Sequence, residues 1–162
     1  MAARPYTYDT TRPHLMRLFK LDLNGPDEPL SGKLLSITNI DFAMLTFTPR
    51  LWFQSFNEDL DGKGYDALSY CWGDPKEPRP LYVSSISNKK SSDGRAVTNY
   101  EPHRNGTLPI QQSLHAFLEG LRRRRYNRFI WIDAICINQG CLEDKDNQIP
   151  LMRYIYEEAE LV

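Results

Sequence analysis

Phe19, Leu21 and Leu23 alternate with Lys20 and Asp22 near the start of the chain, the period-two spacing of a strand with one buried face. Asn24-Gly25-Pro26 then stops it. Further strand-like runs occupy residues 34–37 and 42–48, the second halted by Pro49. Trp52, Phe53 and Phe56 add aromatic bulk before a turn-rich stretch at 59–64. Residues 1–64 therefore read as a β-rich lead-in.

Residues 65–72 (YDALSYCW) mix aromatic with small residues, which suits a strand buried on both faces, and Gly73-Asp74-Pro75 ends it. Leu81-Tyr82-Val83 reads as a short edge strand. Residues 84–104 are polar and aperiodic, so the stretch 84–107 is expected to be a mobile loop insertion. Pro109 fits the first position of a helix whose apolar face is Ile110, Leu114, Phe117, Leu118 and Leu121. Arg122 to Arg125 follow, cations suited to the negative end of that helix's dipole. Phe129 to Asp133 is the next strand. Ile149, Met152, Tyr156 and Ala159 mark a second amphipathic helix, with Pro150 near its first turn. Strand, helix, strand and helix from Tyr65 onward predict an α/β fold, a parallel sheet with crossover helices. A third strand is expected to begin at Glu160-Leu161-Val162, so the sequence reads as truncated at its C-terminus, with the lead-in partly completing the sheet.

Length and composition narrow the classes. A chain of 162 residues suits one domain, which at this size needs no metal or disulfide staple. A net charge of −1 provides no field to draw in nucleic acid or an anionic membrane. No apolar run approaches the roughly 18 residues that cross a bilayer, and MAARPYTYDTTRPH lacks the apolar centre of a secretory signal. Cys71, Cys136 and Cys141 are odd in number and show no C-x-x-C spacing, as free thiols in a reducing compartment would. The chain reads as cytoplasmic, with neither nucleic acid nor membrane among its partners.

The chemistry concentrates where the predicted strands end. Ligands of open parallel sheets sit beyond the carboxyl ends of the strands. Asp133 lies at one such end, and Ser69, Trp72, Gly73 and Asp74 lie at another. Neighbouring strands would bring them to one rim. Each also has a plain structural role. Asp133 would cap the loop or accept backbone N–H groups, and Asn138 and Gln139 would staple turns. Cys136 would be a small buried hydrophobe, Trp72 a packing residue, and Ser69 a hydroxyl bonded to backbone. A Cys136–His115–Asp133 hydrolase lacks a nucleophile-elbow setting. His14, His103 and His115 show no ligand spacing, so no metal is expected.

YDALSYCWGDP, LHAFLEGLR, FIWIDAICINQ and KDNQIPLMRYIYEEAELV occur in this order. On these motifs the chain resembles the fungal heterokaryon incompatibility (HET) domain over residues 65–162, with RLFKLDLNG as a compatible lead-in. It departs from the family at residues 84–104 and at Lys145-Asp146, where Glu-Arg is frequent. The resemblance implies a role in fungal innate immunity: non-self recognition between cells, ending in programmed cell death. It also implies a distant similarity to Toll/interleukin-receptor (TIR) domains, which have a flavodoxin-like parallel sheet and some of which cleave NAD. On that analogy 65–70 is the first strand, 110–122 the first helix and 129–133 the second strand.

Two functional readings follow from the resemblance. In an NAD glycohydrolase, Asp133 is the catalytic carboxylate facing the ribose of an oxocarbenium-like state. Asp74 adds charge, Trp72 stacks on the base, and Ser69, Gly73 and Asn138 complete the ligand site. NAD is then a substrate, and no cofactor is expected. The glutamate of NAD-cleaving TIR domains follows the third strand, so no residue up to Val162 matches it. In a non-catalytic signalling module, the domain works through protein partners or self-association, with residues 84–104 and the helix carrying Tyr154 as contact surfaces.

Overall fold

The alternation at the N-terminus closes into a hairpin. Strand β1 (Met16–Leu21) and strand β2 (Ser31–Ile37) pair antiparallel, with Leu18 opposite Leu35 and Leu21 opposite Gly32. The turn between them is held by Asn24 Nδ2 donating to the Pro29 carbonyl at 3.0 Å. Gly32 is required there, because a Cβ would strike the Phe19 ring and lie 2.7 Å from the Lys20 carbonyl. These elements belong to a computed structural model that describes residues 4–9, 16–37, 64–69, 77–90 and 96–162. The strand expected at 42–48 and the aromatic residues Trp52, Phe53 and Phe56 lie outside the described residues.

The hairpin sits in the middle of one mixed sheet. On one side β1 pairs antiparallel with β7 (Phe129–Ile132), and β7 pairs parallel with β3 (Tyr65–Leu68). On the other side β2 pairs parallel with β4 (Arg79–Lys90). The first half of β4 is antiparallel to β6 (Gly106–Ile110) and its second half to β5 (Ala96–Tyr100). The order is β3-β7-β1-β2-β4-β5, with β6 also on β4. The predicted parallel sheet therefore holds for the β3–β7 and β2–β4 pairs, while β1 runs against both neighbours. A short hairpin connection leaves no other choice of direction for β1 and β2. Residues Met16 to Phe19 are buried without a break, as befits a central strand covered on both faces.

Residues 84–104 are a correction to the sequence expectation. Of these, residues 84–90 continue β4, 96–100 form β5 and Pro102–Arg104 make a 3-10 turn, while 91–95 lie outside the described residues. The period-two pattern is present, but serines carry it. Ser85 and Ser87 are buried in alternation with Val83 because each hydroxyl has a partner: Tyr6 Oη at 3.3 Å and Glu101 Oε1 at 3.0 Å. Leu81, Tyr82 and Val83 accordingly lie inside β4, with strands on both sides, rather than on an edge. Pro109 and Ile110 belong to β6, not to the helix. Pro109 faces Pro80 across the ladder, a pair that must occupy a non-hydrogen-bonded position since neither residue has an N–H.

Three helices complete the described residues. Helix α1 (Gln112–Arg123) buries Leu114 and Leu118 as its spacing predicts, with Phe117 left 39% exposed. Helix α2 is the single turn Asp133–Cys136. Helix α3 (Leu142–Glu157) starts two turns before Pro150, which lies inside it. Its buried stripe is Asp144, Gln148, Leu151 and Ile155, so half of the stripe is polar and hydrophobicity does not reveal it. Ile149 is 57% exposed as a result. Beyond α3 the chain returns beside β3, where Glu160 N donates to the Tyr65 carbonyl at 2.9 Å and Ala67 N to that of Leu161 at 2.8 Å.

Candidate functional site

The β3–β7 register decides what meets at the rim. The two strands run parallel, with Tyr65 opposite Phe129 and Leu68 opposite Ile132. Ser69 and Asp133, the next residue of each, thus leave the sheet side by side at the carboxyl ends. Ser69 is exposed. Trp72, Gly73 and Asp74 lie outside the described residues.

Asp133 opens α2 and ties the loop together through its own backbone and side chain. Its Oδ1 accepts the Ala134 N–H at 2.7 Å. Its carbonyl accepts the Ile137 N–H at 3.1 Å and Gln139 Nε2 at 2.9 Å. Asn138 Oδ1 accepts the Gly140 N–H at 3.2 Å, an Asx turn. Cys136 is fully buried, and burial pushes its thiol up to about 12, so it is no nucleophile near neutral pH. A hydrolase built on Cys136, His115 and Asp133 therefore has no attacking group. His115 sits on α1, where desolvation lowers its pKa and Glu119 opposes that shift. Among the described residues no cluster of three His, Cys, Asp or Glu side chains forms a metal site.

What holds this loop in place is an ion pair that hydrophobic spacing does not reveal. Arg17 of β1 is fully buried and donates to both carboxylate oxygens of Asp144, at 2.9 and 2.8 Å. The same guanidinium donates to the carbonyls of Cys136 at 3.0 Å and Asp9 at 2.6 Å. Asp144 also accepts the Asn138 N–H at 2.7 Å. The lead-in, the loop and the start of α3 thus meet at one bidentate pair. Tyr8 stands beside it, with the Arg17 guanidinium 5.1 Å from its ring centroid and its hydroxyl donating to the Ile135 carbonyl at 2.8 Å. Arg17 lies ahead of the alternation that begins at Phe19, and Asp144 ahead of the helix expected around Pro150, so only their burial marks them. Tyr8 carries a weak one, its alternation with Tyr6 in YTYD.

Between Tyr8, the β6–α1 junction and the loop after α2 lies a cavity of about 230 Å³. Asn138 and Gln139 both border it, and Ser69 does not.

An α/β domain with a mixed sheet and polar loops at the ends of two parallel strands is the class these observations define. The family model for Heterokaryon incompatibility protein (HET) matches residues 65–162, and the chain belongs to this family. It is 39% identical over 103 residues to "Heterokaryon incompatibility protein 6, OR allele" of Neurospora crassa. That match covers 60% of this chain but only 13% of the relative's length. No solved structure matches the chain.

Proposed function

We propose that this chain acts in non-self recognition between fungal cells, as a heterokaryon incompatibility domain whose rim at β3 and β7 is a ligand site. Its relative's name and its family membership support the first part. The parallel register that sets Ser69 beside Asp133 is the observation that carries the second. A TIR-like arrangement is supported further by Glu160 and Leu161, which run along the other edge of β3 in the direction of β7. On this reading NAD lies across the rim, the Asp133 carboxylate faces the ribose, and cleavage of the nicotinamide bond is the death signal.

A second reading has a specific observation in its favour. Cys136 is buried, and Asn138 and Gln139 already hold the loop to itself, so the domain is a signalling module that works by association. Incubating the full-length protein with NAD and following free nicotinamide separates the two. Release lost in Asp133→Asn and in Trp72→Ala is the expected outcome. No release, together with concentration-dependent self-association, selects the second reading.

A further inference from the structure

The cavity behind the rim has walls that specify a ligand more closely than the rim does. Its volume of about 230 Å³ falls below the roughly 300–1,000 Å³ of sites for drug-sized molecules. It therefore holds one ring system, not a dinucleotide. None of the described residues that line it is charged, so no side chain among them would neutralise a phosphate or a carboxylate there. Leu108, Ile110, Leu114 and Ala134 supply an apolar lining, and Tyr8 adds an aromatic ring.

Two amide side chains are among the residues that border it. Asn138 spends Oδ1 on Gly140, and its Nδ2 donates to no described residue. Gln139 spends Nε2 on the Asp133 carbonyl, and its Oε1 accepts from no described residue. Consecutive residues therefore offer one open donor and one open acceptor, the complement of a carboxamide or of the amino–imine edge of adenine. We propose that this cavity is a ring subsite for a neutral heteroaromatic bearing such a donor–acceptor edge, held by Asn138 and Gln139. This deepens the ligand-site reading of the rim, and it makes the lead-in residue Tyr8, outside the family match, part of the site.

Titration of the full chain with adenine and with nicotinamide, followed by calorimetry and ligand-observed NMR, tests it. Saturable binding of at least one ring is expected. Asn138→Asp keeps the acceptor for Gly140 while removing the donor and adding charge, and it should weaken binding at least tenfold. Ala134→Leu, which fills the cavity, should do the same, with circular dichroism showing that each variant is folded. Parallel titrations with the corresponding nucleosides and nucleotides show whether the ring is taken free or as part of a larger molecule. Neither ring binding, or binding that survives both substitutions, overturns the proposal. Asp133→Asn separates it from the rim reading: ring binding persists in that variant even if NAD is never cleaved. NAD cleavage without ring binding would remove the subsite alone.

Discussion

Arg17 and Asp144 are the residues on which the loop's geometry rests. Both are buried, and each also serves a backbone group at the loop, so losing either strands a charge and opens hydrogen bonds. Breaking a buried pair from one side costs about 3–5 kcal/mol, a large part of the roughly 5–15 kcal/mol that a domain has. Arg17→Met should lower the unfolding free energy read from urea melts by that order. The double variant Arg17→Met/Asp144→Leu should recover much of the loss, though not all, because the Asn138 N–H then lacks its acceptor. A double variant no more stable than the single one would show that Asp144 is not stranded when Arg17 goes. From sequence, Asp133 stood out because it follows an apolar strand. Asp144 did not, since it lies in a polar stretch ahead of the helix expected around Pro150, where an acid is ordinary. Local chemistry shows in sequence, and a partner 127 positions away does not.

Elements show the same division. Helix α1 was legible because its own side chains carry the period, and strand β7 because it is an unbroken apolar run. Strand β4 past Val83 and the first half of α3 were not, because Ser85, Ser87, Asp144 and Gln148 face inward in place of apolar residues. Their burial depends on partners from other elements, which no window of sequence contains. The N-terminal segment is held in the same way. Tyr6 N donates to the Thr107 carbonyl and Thr107 N to that of Arg4, so residues 4–6 line the outer edge of β6. Gly106 permits the approach: a Cβ there would lie 2.5 Å from the Pro5 carbonyl and from Tyr6 N. Gly106→Ala should push this segment, and with it Tyr8, off the sheet. Faster amide exchange at Tyr6 and Thr107, with the β1–β2 amides unchanged, is the expected signature. Unchanged exchange at Tyr6 would mean that the sheet shifts to accommodate the methyl.

The molecule as a whole buries several groups in their neutral form. Burial raises the Cys136 thiol from 9.0 to about 12 and raises the phenols of Tyr6, Tyr8 and Tyr65 above 10.0. The unfolded chain ionises these groups at their ordinary values while the folded chain does not. The stability these groups contribute is therefore fully present below about pH 9 and is lost as pH rises toward 12. Urea midpoints measured at pH 8, 9.5 and 10.5 should fall in that order. Cys136→Ala should flatten the first interval, and an unaltered slope there would assign the loss to other groups.

The place of β1 in the sheet bears on how such a domain is handled. The family match begins at Tyr65, yet β7 within it is hydrogen-bonded to β1, and β4 to β2. A fragment cut at Tyr65 would carry a gap two strands wide and expose one flank of β7 and one of β4. Bare backbone of that kind recruits other chains. The span that the family match covers is thus narrower than the sheet it belongs to, and a graft of it would lack the central hairpin.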